Sequence, residues 1–257
     1  MKTRNLIVCT LMMALTTSAC SAGEKKETAN SESNLSVKEQ LNGAKEKKQT
    51  VFLVVTDSVT PADSLNAIVN EVLSNTKNTM SIQMNVNDKA NSDLIAEYRL
   101  NGAPMPLLLL ISDRGLLLGG MLADRVTKQV LTDAIPTPKY SEITYAISKG
   151  NSVLALVSNE KFKSNQSALS LCASAKKLLN EKGEVIVIDA DDSKESKLIE
   201  MLNIKSKPID SYIVTINSQG IMSGRFETLP TVDELVGAAQ KVVQTGCAPG
   251  GCGPTCK

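Results

Sequence analysis

Along most of this chain the apolar residues fall into two alternating rhythms, which predict strands and helices in regular succession. Val51 to Val55 is an unbroken apolar run, the pattern of a central strand covered on both faces. Leu65, Ile68, Val69, Val72 and Leu73 then recur at helical spacing. Ile82, Met84 and Val86 alternate as a strand, Leu94, Ile95 and Tyr98 mark one helix face, and Leu107 to Ile111 is a second apolar strand. Asp113-Arg114-Gly115 supplies a turn into Leu116 to Met121, and Val126, Val130, Leu131 and Ala134 predict a closing helix. The predicted order is βαβαββα.

The same order returns about one hundred residues later, which marks an internal duplication. Val153 to Val157 predicts a strand, and Ala168, Leu171, Cys172, Ala175, Leu178 and Leu179 form a helical stripe. Val185 to Ile188 is a strand, Leu198, Ile199 and Leu202 lie on a helix, and Ile213 to Ile216 with Ile221 to Phe226 make a hairpin across Asn217 to Gly220. Val232, Leu235, Val236, Ala239, Val242 and Val243 predict the last helix. Between the repeats, Pro136 and Pro138 remove amide donors and disfavour helix before them, so residues 136–147 are expected to link two domains, with an extra helix over Tyr140 to Ile147. The domains are predicted at 50–135 and 148–245.

The N-terminus has a different character. Lys2 and Arg4 precede an apolar run from Leu6 to Leu15, and small residues lead into Cys20, which predicts a secretory signal peptide over residues 1–19. That run is too short to cross a hydrocarbon core of roughly 30 Å as a helix. Ser18-Ala19-Cys20 resembles a bacterial lipobox, with Thr17 where the family usually carries Leu. The resemblance implies lipidation of Cys20 and a protein held in the bacterial cell envelope, in the periplasm or on the outer surface, by its membrane anchor; an ordinary secretory signal cut near Ala19 or Ala22 is the alternative. Residues 20–49 are polar and charged and predict a flexible tether, with a short helix around Val37 to Ala44.

Composition removes whole classes of chemistry. The chain of 257 residues has no histidine, which excludes Ser-His-Asp hydrolysis, Cys-His proteolysis and HExxH zinc chemistry. A net charge of +1, three Phe, four Tyr and no Trp offer neither the charge nor the stacking surface that nucleic acid demands, so no nucleic-acid partner is expected.

A βαβαββα unit with a proline near the start of its third strand resembles the thioredoxin fold, and the chain is expected to be α/β with two tandem thioredoxin-like domains. A small flavodoxin-like sheet fits less well, because each unit offers four strands and ends in a hairpin and a helix. The resemblance implies a cis-proline facing the redox site: Pro104, with Pro106 as its rival, in the first domain and Pro208 in the second. The repeat alignment favours Pro104; the spacing to Gly115 favours Pro106. It also implies a CxxC pair at the start of the first helix, where the helix terminus lowers a thiol's pKa. Val59-Thr60-Pro61-Ala62 stands there in the first domain and the Ser158 to Gln166 region in the second, neither with a cysteine pair. Cys172, on an apolar stripe, is expected to be a buried inert thiol.

What remains is the tail, residues 246–257, where Cys247, Cys252 and Cys256 lie among glycines and prolines. Three uses are open: a redox pair at Cys252 and Cys256, whose Cys-Gly-Pro-Thr-Cys resembles a thioredoxin motif with one residue inserted; a site for a soft metal ion such as Cu(I) or Zn(II) built from all three thiolates; or a disulfide staple or functionless end. No cofactor is required by any domain. Two functions follow as expectations. One is envelope thiol-disulfide or soft-metal handling through the tail cysteines. The other is a non-catalytic binding or adaptor role, in which degenerate thioredoxin-like domains hold an envelope protein or an extended peptide.

Overall fold

The computed structural model describes residues 35–204 and 208–242. In order, the first repeat comprises α1 (Val37–Glu46), β1 (Thr50–Thr56), α2 (Asp63–Asn75), β2 (Thr79–Asn85), α3 (Ser92–Glu97), β3 (Leu107–Ile111), β4 (Leu117–Leu122) and α4 (Lys128–Ala134). β1 runs parallel to β2 and antiparallel to β3, which pairs antiparallel with β4, giving the sheet order β2-β1-β3-β4. The side chains of β1 alternate between two cores. Phe52 and Val54 pack with Leu65, Val69 and Val72 of α2 and Leu131 of α4. Val51, Leu53 and Val55 pack with Ala44 of α1, Ile82 and Met84 of β2 and Leu94 of α3. Residues from Val51 to Val55 are at most 1% exposed, which is why the run in the sequence is apolar without alternation.

The second repeat follows the same plan just over one hundred residues on: α5 (Pro138–Ser148), β5 (Ser152–Ser158), α6 (Asn165–Leu178), β6 (Gly183–Asp189), α7 (Ser196–Met201), β7 (Tyr212–Ile216), β8 (Met222–Phe226) and α8 (Val232–Gln240). Its sheet order is β6-β5-β7-β8. Both hairpins even carry a register shift at the same place, between Leu110 and Ile111 and between Thr215 and Ile216. The chain therefore holds two tandem thioredoxin-like domains; the hydrophobic pattern predicts the order of strands and helices, and the resemblance implies the fold.

The helices expected around Val37 to Ala44 and Tyr140 to Ile147 are present, and each packs on the domain that follows it. The stretch expected to be tether up to residue 49 contains α1, started by a capping box in which the Ser36 hydroxyl accepts from the Glu39 amide at 3.3 Å and the Glu39 carboxylate accepts from the Ser36 amide at 2.8 Å. Val37, Leu41 and Ala44 dock on the first core. The expected linker, 136–147, is mostly α5, capped by the Thr137 hydroxyl with Pro138 in its first turn. Ile143 and Ala146 of α5 belong to the second core. Each repeat is thus αβαβαββα, and the helix added in front covers one face of each sheet.

If burial of the central strands organises the fold, truncation there must cost far more than on an edge. Leu53→Ala is expected to destabilise the protein by about 2–5 kcal/mol, whereas Leu117→Ala, on edge strand β4 and 42% exposed, stays near about 0.5 kcal/mol. Urea unfolding of both variants checks this, and equal losses would contradict the assignment of β1 as the organising strand.

Candidate functional site

At the end of each central strand the chain turns into the helix that packs behind it, and this strand-to-helix loop is where a thioredoxin carries its cysteines. β1 ends at Thr56 and α2 begins at Asp63; β5 ends at Ser158 and α6 begins at Asn165. The two loops have equal length, so Val59-Thr60-Pro61-Ala62 corresponds to Lys161-Phe162-Lys163-Ser164.

In the first domain the loop is closed by an aspartate. Asp57 Oδ1 accepts from the amides of Val59 at 3.0 Å and Thr60 at 2.6 Å, and the Thr60 hydroxyl donates to Asp57 Oδ2 at 3.2 Å. The Thr60 amide bond, then that of Val59, holds the Asp57 carboxyl below its ordinary value. Asn87 ties the loop after β2 to it by donating to Ser58 Oγ at 3.0 Å. Val59 is left 87% exposed at the loop tip. The α2 terminus has Ala62 as N-cap with no side-chain cap, so nothing nucleophilic stands at the position where a helix terminus would activate a thiol.

The cis peptide bond of the first domain is Met105–Pro106. Pro104 is therefore not the cis-proline; the spacing to Gly115 located it and the repeat alignment did not. Strand register explains the discrepancy. Val55 pairs with Leu107 and Val157 with Tyr212, so the residue that corresponds to Pro106 is Ser211. Pro208 lies three residues earlier and lines a cleft of about 680 Å³ beside α7; its preceding residue, Lys207, is outside the described residues.

Around Ser211 the second domain has a polar network that hydrophobic patterning does not predict. Ser158 and Ser211, both buried, share a hydroxyl–hydroxyl hydrogen bond of 2.7 Å, and the Ser158 hydroxyl lies 2.9 Å from Asn165 Oδ1. Asp210 Oδ1 accepts from the Ser164 hydroxyl at 2.7 Å, the Ser164 amide at 3.1 Å and the Ser211 amide at 2.9 Å. The Ser164 hydroxyl is the largest cause of the lowered Asp210 pKa. These bonds join the start of α6 to the entry of β7, across the place where a disulfide and a cis-proline would face each other. Ile209, next to this knot, is 96% exposed. The only sequence signal was Asp210-Ser211 standing immediately before the β7 apolar run.

Cys172 is the one cysteine among the described residues. It is fully buried on α6 between Ala168 and Ala175, and burial raises its pKa from 9.0 to about 12. It matches the expected inert thiol. Cys20, Cys247, Cys252 and Cys256 lie outside the described residues. Among the described residues no cluster of three or more Cys, Asp or Glu could hold a metal ion, and no helix is long and apolar enough to cross a membrane.

Two outcomes follow. Cys172 stays unmodified by maleimide in the folded chain and reacts only after denaturation; rapid labelling of the native protein would contradict its burial. The folded state keeps the Cys172 proton up to about 12, whereas the unfolded thiol loses it near 9.0. The thiol's contribution to stability is therefore complete below 9.0 and lost as pH rises toward 12. Urea unfolding across that window shows a smaller loss for Cys172→Ala than for the parent chain.

No protein-family model matches this chain, and no curated protein matches it. Among solved structures, the first two thioredoxin domains of Naumovozyma dairenensis Eps1p are similar at 11% identity over 86% of this chain and 100% of that one, with a TM-score of 0.32. The first two thioredoxin domains of Saccharomyces cerevisiae Eps1p match at 11% identity over 81% and 97%, TM-score 0.29. The zinc-bound form of human ERp44 matches at 12% identity over 70% and 51%, TM-score 0.33. At these identities the likeness concerns the fold alone and transfers no activity.

Proposed function

We propose that this chain is a lipid-anchored envelope protein whose two thioredoxin-like domains bind a protein partner and do not exchange electrons with it. One observation carries this: both strand-to-helix loops keep the thioredoxin architecture while neither holds a thiol, and the surface beside each presents a bare aliphatic side chain, Val59 at 87% and Ile209 at 96% exposure. Exposed apolar side chains on loops held by Asp57 and by Asp210 are suited to anchoring a partner segment, because the loops are already ordered before binding. The anchor is Cys20, on the lipobox resemblance.

A second reading is favoured by the sequence of the tail. Cys247, Cys252 and Cys256 are three cysteines within ten residues, and an exported chain places them where thiol-disulfide exchange or capture of a soft metal ion can operate. In that case the domains position the substrate and the tail carries the chemistry.

Val59→Asp combined with Ile209→Asp is expected to weaken partner capture by crosslinking from the loops roughly tenfold or more, while Cys252→Ser with Cys256→Ser leaves it intact. The reverse result rejects the binding role and supports the tail chemistry. The intact mass of the mature protein is expected to show acyl chains that Cys20→Ser abolishes; an unmodified Cys20 rules out the anchor. Mass before and after alkylation distinguishes free thiols, disulfide and bound metal in the tail.

A further inference from the structure

The β3–β4 turn and the end of α1 face α5 across a cleft of about 390 Å³ lined by Lys45, Lys48, Asp113, Arg114, Glu142 and Tyr145. Lys45, Lys48 and Arg114 bring three cations, none of them in an ion pair among the described residues. Of the two carboxylates, Glu142 is already engaged by Lys139 at 3.1 Å. Arg114 is held in place by its guanidinium, 5.1 Å from the centre of the Tyr145 ring. The stem of Lys45 lies against Gly115, where φ is +78° and a Cβ would come within 3.1 Å of Lys45 Cδ.

Two polar atoms here are buried without a hydrogen-bond partner: Arg114 Nε, a donor, and Asp113 Oδ1, an acceptor. Neither side chain is needed to make its own turn. Ser112 Oγ does that, accepting from the Arg114 amide at 3.3 Å and the Leu116 amide at 3.2 Å. The second domain supplies an internal comparison. There Asn217 Oδ1 makes the same turn, accepting from the amides of Gln219 and Ile221 at 3.0 Å each. Gln219 stands in place of Arg114, and at the helix position of Tyr145 the first domain has Gly43. The arginine and the aromatic ring that steadies it thus occur only on the two faces that form this cleft.

We propose that the cleft binds inorganic phosphate or a phosphate monoester. The cations supply the charge, and a guanidinium donates to phosphate oxygens in a geometry that suits it. The Asp113 carboxylate, which lines the cleft, then selects among anions. At neutral pH a phosphate group that is free or singly esterified carries a P–OH proton in part of its population, which can be donated to that carboxylate. Sulfate and phosphodiesters carry none, so they meet the carboxylate as like charge against like charge. An anionic diester headgroup of a membrane lipid is excluded by the same reasoning.

The test uses the full mature chain, titrated with inorganic phosphate, methyl phosphate, sulfate and dimethyl phosphate, with calorimetry and tyrosine fluorescence as readouts. Phosphate and methyl phosphate are expected to saturate a single site, with sulfate and dimethyl phosphate weaker by roughly tenfold or more, the scale of one charge-assisted hydrogen bond. Arg114→Gln is expected to lose a similar factor, and Lys45→Gln with Lys48→Gln, both exposed and outside the core, provides an independent loss in a chain that folds. Asp113→Asn is expected to erase the preference for phosphate over sulfate. Non-saturable titration, equal affinity for phosphate and sulfate, or binding unchanged in both the Arg114 and the lysine variants would overturn the proposal.

Discussion

The rest of this structure depends on a strand buried on both faces. β1 and β5 each place successive side chains into two separate cores, so every residue in the run contributes apolar burial and none is available for solvent or for chemistry. Fully burying one such Leu, Val or Phe side chain contributes about 1.5–3 kcal/mol; the run in β1 is Val51, Phe52, Leu53, Val54 and Val55, and that in β5 has four Leu and Val around Ala155. That constraint fixes the layers, since helices must cover both sides, and it fixes the exit of the chain. The loop from strand to helix leaves from one end of the sheet whatever residues it contains. A thioredoxin-like platform can therefore persist after its cysteines are gone, because its position is set by packing that the cysteines do not share.

The two domains hold the strand-to-helix loop differently. In the first, Asp57 gathers the loop with two amide bonds and a hydroxyl bond, all within four residues. In the second, Asp210 and two buried serines join segments that are 46 to 53 residues apart. The first arrangement is local and leaves the helix terminus open; the second staples α6 to β7. Both carboxylates have lowered pKa values, caused first by an amide bond in one and by a hydroxyl bond in the other. Each therefore favours its loop above the ordinary Asp value of 3.8 and loses that contribution as pH falls through its lowered pKa. Both carboxylates therefore favour the folded loops across the neutral range.

Much of this was legible in the amino-acid order because burial on two faces and burial on one leave different patterns. The runs at Val51 to Val55 and Val153 to Val157 identified the central strands, and the helical stripes identified α2, α6 and α8. The weaker elements left weaker traces. α1 docks by only Val37, Leu41 and Ala44, so its periodicity is faint, although Ser36 and Glu39 already had capping-box spacing. In the first domain the repeat alignment pointed to Pro104 and the turn spacing to Pro106; pairing of β1 with β3 and of β5 with β7 resolves the choice by aligning Pro106 with Ser211. The serine and aspartate knot was not legible, since its partners are brought together only by the sheet. Residues that serve a site by long-range contact leave no local period to detect.

The duplication itself adds a last step. Two copies of one fold placed in tandem begin with equivalent surfaces, and any position at which the copies differ in chemistry but not in backbone reports what its surroundings require. At the turns, the backbone bonds are conserved in form while Arg114 and Gln219 differ; in the leading helices, the buried Ala44 and Ala146 agree while Gly43 and Tyr145 differ. Packing inside each domain accounts for the agreements. The junction accounts for the difference between Gly43 and Tyr145, because Tyr145 meets Arg114 there, and Lys197 reaches Asp133 at 3.5 Å across the same junction. These contacts are polar, and a cation–π pair between half-buried residues such as Arg114 and Tyr145 contributes on the order of 1 kcal/mol. No core cluster of the described residues spans both domains, so these contacts set charged groups beside their partners and extend neither core.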